Sequence, residues 1–241
     1  MSYEEFLKML RSGGLTEPTR FLHMLQHGLR DVYLFNQNRF TPERGDDQGL
    51  FGFQVYKNGW FRIEQDLFAY GNGVKTDRPK NSLTVYAAGR NIKVYRGGPD
   101  ENYDIHSFDI RSGSETRVDL ARTNSRQLSL FEQFDPEADH SSELSELVLV
   151  HAGNSDLGLT NLWIGAPRFP TLENLSAWAF VVHLPDICAE IDCPGSGQTV
   201  SMSPKPTAPH NPSHDEIAEP ELKIVLRSEV NPDASASADG Q

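Results

Sequence analysis

His23, His27 and Asp31 are the first residues in the chain whose types and spacing could do chemistry. Residues four apart on a helix share a face about one turn apart. Two imidazoles and a carboxylate so placed could close on one metal ion. The glutamate of a His-Glu-x-x-His zinc-hydrolase motif is missing. The three also lie roughly opposite an apolar stripe of Leu22, Leu25, Leu29 and Val32, so a wet helix surface is the plainer expectation.

A second group is acidic. Asp46, Asp47, Glu64 and Asp66 could hold a divalent cation if the chain brings them together, and a nuclease would place a lysine two residues after such an acid. Position 66 is aspartate instead, and turn and surface roles are the simpler account. His151 and Asp156, with serines nearby, have the residue types of a hydrolase triad, but no Gly-x-Ser-x-Gly elbow is present. Cys188 and His183 lie five apart across Pro185, which defines no nucleophile–base geometry. Cys188, Cys193, His210 and His214 have the residue types of a Cys2His2 finger. Pro194, Pro204, Pro206, Pro209 and Pro212 crowd that segment, and no apolar mini-core accompanies it. No glycine pattern follows a strand and opens a helix, so no phosphate loop is expected. The sequence therefore calls for no cofactor, and leans away from an enzyme.

A third group is basic. Residues 51 to 127 hold 12 basic and 9 acidic side chains, a net of +3, while residues 128 to 193 hold 1 and 11, a net of −10. Arg90, Lys93, Arg96, Arg117 and Arg122, interleaved with Tyr86, Tyr95 and Tyr103, could contact the phosphates and bases of a single-stranded nucleic acid. The acids among them favour a salt-bridged sheet surface.

The elements that must position these residues follow from periodicity. Ser2-Tyr-Glu-Glu5 is a capping box, and Gly13-Gly14 closes the helix it opens. Thr16-Glu17-Pro18 starts a second helix, ending near residues 35 to 38. Leu50 to Leu67 is the densest aromatic segment. Asn58-Gly59 sits at its middle, flanked by alternating runs, and a type I′ hairpin is the preferred expectation. Phe53, Tyr56, Trp60, Ile63 and Leu67 also fit a helical stripe, but a mid-helix Asn-Gly costs about 1 kcal/mol. On the hairpin, Trp60, Arg62, Glu64 and Asp66 share the face opposite Phe61, Ile63 and Leu67. Further hairpins are expected from Leu83 to Tyr95 around Ala-Gly-Arg, and from Asp104 to Arg122 around Ser-Gly-Ser-Glu. Arg126 to Phe134 fits helix or strand. Glu146 to His151, Leu157 to Ile164 and Ser176 to Leu184 read as buried strands.

The expected architecture is α+β: two N-terminal helices packed on a largely antiparallel, meander-like sheet of about seven to nine strands. Residues 1–193 form one domain, helical over 1–40 and β-rich over 50–193. A Pro- and Ser-rich tail, 194–241, is expected to be mostly disordered, with a strand-like island at 221–230. No stretch approaches the roughly 18 apolar residues of a membrane span, and no basic, apolar leader opens the chain. Two cysteines make no disulfide framework, so a soluble cytoplasmic protein is expected. The functional expectation is a non-catalytic interaction or regulatory module that binds a protein partner, in part through the 221–230 island. A metal-dependent hydrolase or nuclease and a nucleic-acid binder are the alternatives.

Overall fold

The computed structural model describes residues 1–185, apart from 72, 80–81, 109, 111–113, 136 and 173–174. The 194–241 tail with its 221–230 island, together with Cys188, Cys193, His210 and His214, lies outside the described residues.

Helix α1 (Tyr3–Ser12) opens on the capping box. The Glu5 N–H donates to the Ser2 hydroxyl at 3.3 Å, and the Ser2 N–H to the Glu5 carboxylate at 2.6 Å. Helix α2 (Pro18–Gln37) starts on Pro18, whose missing N–H costs nothing in the first turn. Helix α3 (Gln48–Tyr70) follows, its N-terminus capped by Asp47, which accepts from the Leu50 N–H at 2.7 Å. Three short strands come next: β1 (Lys75–Asp77), β2 (Thr84–Ala87) and β3 (Arg90–Arg96). Helix α4 (Glu115–Phe134) carries the chain over to β4 (Glu146–Asn154), β5 (Gly158–Pro167) and β6 (Trp178–His183).

The six strands lie in one sheet in sequence order. Every pairing is antiparallel except β3 with β4, where α4 makes the crossover a parallel pair requires. The fold is α+β with an antiparallel-dominated sheet. Side chains alternate across it. Leu147 and Leu149 of β4 join the core made with α1, α2 and α3, whereas Val148, Val150 and Ala152 join Leu120 and Ala121 of α4 on the other face. With both faces covered, β4 reads as a nearly unbroken apolar run. Asn124 of α4, fully buried, donates to the carbonyls of Glu146 and Pro167, both at 2.8 Å, and accepts from the Glu146 N–H at 3.2 Å.

Two expected hairpins do not form. Leu50 to Leu67 is not a hairpin but the body of α3. Gly59 faces the α2–α3 contact, where a Cβ would meet Leu29 at 3.5 Å, and Asn58 donates to Asn36 of α2 at 3.0 Å. Asn58 thus ties α3 to α2 rather than making a turn, and a Cβ at Gly59 would meet Leu29 only at ordinary contact distance. Gly52 lets Arg96 cross α3, since a Cβ there would collide with its guanidinium. Asp104 to Arg122 is not a hairpin either: a 3-10 turn at Ile105–Ser107 leads to α4, which also takes up Arg126 to Phe134. The region after residue 50 is therefore less β-rich than expected, with six strands among the described residues. The hairpin at Ala88-Gly89 and the strands β4, β5 and β6 form where the sequence puts them.

Candidate functional site: the solvent face of α3

Helix α3 is aromatic on two sides. Its inner side buries Phe51, Val55, Trp60, Ile63, Leu67 and Tyr70. Its outer side leaves Phe53 and Phe61 each 59% exposed and Phe68 91% exposed. At about 100° per residue, Phe53, Lys57, Phe61, Glu64 and Phe68 fall within an arc of about 80°, so they form one ridge. The hairpin expectation put Phe61 on one face with Ile63 and Leu67, and Trp60 on the opposite face. The helix separates them the other way, with Phe61 outside and Trp60 buried.

Grooves flank the ridge. On the α2 side, a groove of about 480 Å3 runs between Phe35, 50% exposed, and Phe61, over Val32 and Asn58. Its end is closed by Arg62, whose guanidinium donates to Asp31 at 2.9 Å and to Asp66 at 3.1 Å. A shallower groove of about 320 Å3 is lined by Phe61, Glu64, Gln65 and Phe68. The Lys57 ammonium lies 4.0 Å from the Trp60 ring centre and 6.0 Å from that of Phe53. Apolar contact area with a few charges at its rim suits association with another macromolecule better than reaction with a small substrate.

The histidine–aspartate group lies beside this face. His23 and His27 stack with ring centres 6.0 Å apart, and His27 Nδ1 is 3.5 Å from Asp31. Asp31, however, already accepts from Arg62. Partial burial, followed by the proximity of His27, lowers the His23 pKa, which favours a neutral ring. Burial raises the Asp66 pKa against the pull of Arg62. Among the described residues, no group of three His, Cys, Asp or Glu side chains is placed to hold a metal.

The acidic group is dispersed. Asp47 caps α3, Asp46 accepts from the Thr41 N–H at 2.8 Å, and Glu64 is paired with Arg78. The basic group is dispersed too. Arg90 donates to the carbonyls of Ala88 and Ser142 at 2.7 and 2.6 Å, and Lys93 is buried and donates to the Thr84 hydroxyl. Arg96 points inward, Arg117 lies 4.9 Å over Tyr95 and 4.8 Å over Phe108, and Arg122 pairs with Asp119 at 2.6 Å.

His151 does enter a polar cluster, with a partner the sequence did not suggest. The Tyr33 hydroxyl of α2 lies 3.0 Å from His151 Nδ1, and Arg96 lies beside the phenol while donating to the Gly153 carbonyl at 2.9 Å. With the guanidinium against its oxygen, the phenol donates to the imidazole. Burial pushes Tyr33 up to about 12 and His151 down to about 3, so both are neutral near pH 7. Tyr33 and His151 are 0% and 1% exposed, which closes the pair to any substrate. Asp156 instead accepts from the Ser155 hydroxyl at 3.3 Å. The cluster ties α2 to β3 and β4.

A larger cavity, about 730 Å3, lies beside α4 and is lined in part by Ser125, Leu128, Glu132, Arg168 and Phe169. The Arg168 guanidinium donates to the Ser176 carbonyl at 3.3 Å, and the Ser125 hydroxyl accepts from the Phe169 N–H at 2.9 Å. No helix among the described residues is long and apolar enough to cross a membrane. No protein-family model, curated protein or solved structure matches the chain.

Proposed function

We propose that this chain is a protein-contact module that works through the outer ridge of α3. The supporting observation is the run of three phenylalanines, Phe53, Phe61 and Phe68, left at least half exposed on one narrow face while the same helix buries its other aromatic side. Single exposed apolar residues are ordinary, but a contiguous row beside two grooves marks a surface kept for contact. A cytoplasmic setting goes with this proposal, supported by a sequence with two cysteines.

The test is a photo-activatable phenylalanine at position 61, set against the same residue at Leu130, which is 52% exposed on α4. In native extract, position 61 should give one discrete adduct and position 130 none. The purified adduct partner should bind the wild-type chain and lose at least tenfold in affinity to Phe61→Ser. No adduct at position 61, or a partner that binds Phe61→Ser unchanged, overturns the proposal.

A further inference from the structure

Arg168 is the only lysine or arginine between residues 128 and 193, where 11 side chains are acidic. Among the described residues, no carboxylate takes it up. Its Nε donates to the Ser176 carbonyl at 3.3 Å, and its Nη2 is buried with no acceptor. A guanidinium stays charged at any ordinary pH, and a buried nitrogen of a cation left unpaired is costly. Stability alone would set one of the abundant carboxylates on it. Arg168 instead lines the cavity of about 730 Å3 beside α4, and also an adjoining recess of about 200 Å3.

The rest of the cavity is built from both ends of the sheet's outer layer. Ser125, Leu128, Ser129 and Glu132 recur at i, i+3, i+4 and i+7 on α4, so they form one wall about 10 Å long. The loop after β5 forms the other wall with Phe169 and Leu172. The bond from the Phe169 N–H to the Ser125 hydroxyl, at 2.9 Å, fixes that loop to the helix. Glu132 lines both spaces, as Arg168 does, so a carboxylate and a guanidinium face one cavity without meeting each other.

We propose that this cavity binds a free α-amino acid with an apolar side chain. Its carboxylate pairs with Arg168, its ammonium group with Glu132, and its side chain lies among Leu128, Phe169 and Leu172. A guanidinium is the side chain best shaped for a carboxylate, which it can hold by two parallel hydrogen bonds. A ligand of negative charge alone fits less well. A phosphate would sit beside Glu132, with Asp139 in the adjoining recess, and like charges repel there. A plain carboxylic acid would answer Arg168 and leave Glu132 without a counter-charge. The cavity volume lies within the roughly 300–1,000 Å3 of small-molecule sites.

Calorimetric titration of the full chain with L-leucine, N-acetyl-L-leucine and L-leucinamide tests this, because the second lacks the ammonium group and the third the carboxylate. L-leucine should bind saturably, and each capped form about tenfold more weakly or worse. Arg168→Gln should weaken L-leucine binding by about thirtyfold or more. Glu132→Gln should weaken it about tenfold and leave N-acetyl-L-leucine unchanged, so that the preference for a free amine disappears. A merely structural role for Glu132 would lower both ligands alike. Circular dichroism of each variant verifies folding, and Glu132→Gln, on the exposed side of α4, keeps the test open if Arg168→Gln misfolds. The proposal is overturned if L-leucine, L-methionine and L-phenylalanine all fail to bind the wild type saturably. It is overturned equally if N-acetyl-L-leucine binds as tightly as L-leucine, or if L-leucine binding survives either substitution unchanged.

Discussion

The two sides of α3 carry similar residues in different surroundings. Phe51 on the inner side is fully buried, packing edge-on to Phe40 at 5.6 Å and against Tyr33 at 6.0 Å between ring centres. Phe61, ten residues on, stands in solvent. What separates them is helical phase alone. An aromatic residue on this helix is structural or available for contact according to a rotation of about 100° per position. Composition does not distinguish the two sides, but substitution should.

The comparison is broken or sharpened most strongly from the inside. Phe51→Ala should destabilise the fold by about 3–5 kcal/mol, seen as a large fall in the urea midpoint, since it opens a cavity among Phe40, Tyr33 and Val55. A loss below 1 kcal/mol would show that the inner side is not packed as described. Tyr33→Phe should cost about 1–3 kcal/mol, because it leaves His151 Nδ1 buried without its donor. An unchanged melting temperature would contradict the buried bond.

Acid should act through the same pair. His151 is held at about 3 in the folded chain against an ordinary value of 6.5, so below about pH 6.5 the unfolded chain takes up a proton that the folded chain refuses. Stability contributed by His151 neutrality is present above pH 6.5. It is lost as pH falls, at up to about 1.4 kcal/mol per unit, until the folded value near 3 is reached. Urea titrations at pH 7, 6 and 5 should show this slope, and His151→Gln should flatten it; an identical slope in the variant would assign the pH dependence to other groups. The smallest effect is expected outside: Phe68→Ser should change stability by no more than about 0.5 kcal/mol.

Much of the fold was legible, and the failures have physical causes. The capping box of α1, the Ala-Gly turn between β2 and β3, and the apolar runs of β4 to β6 are local signals that tertiary packing did not oppose. Helix α3 departs from the expected hairpin because aromatics on both sides blur the 3.6-residue period, and because Asn58 bonds across to Asn36 of α2, a role that sequence cannot display. Helix α4 was misread because it buries only Leu120, Ala121 and Asn124, which leaves almost no apolar stripe to detect. The site was less legible than the fold. Arg62, Asp31 and Asp66 meet across two helices, and Tyr33, Arg96 and His151 across three elements, so neither group forms a local motif. The outer ridge was recoverable in principle: a helical wheel over residues 48 to 70 puts Phe53, Phe61 and Phe68 together once the helix is granted.

The central claim is that the outer phenylalanines of α3 serve contact and not stability. The most direct measurement is urea unfolding of Phe53→Ser/Phe61→Ser/Phe68→Ser against the wild type, in solution dilute enough to exclude association. The account predicts unfolding free energies within about 1.5 kcal/mol, the sum of three surface changes. A loss of about 4 kcal/mol or more would make the ridge part of the core and contradict it.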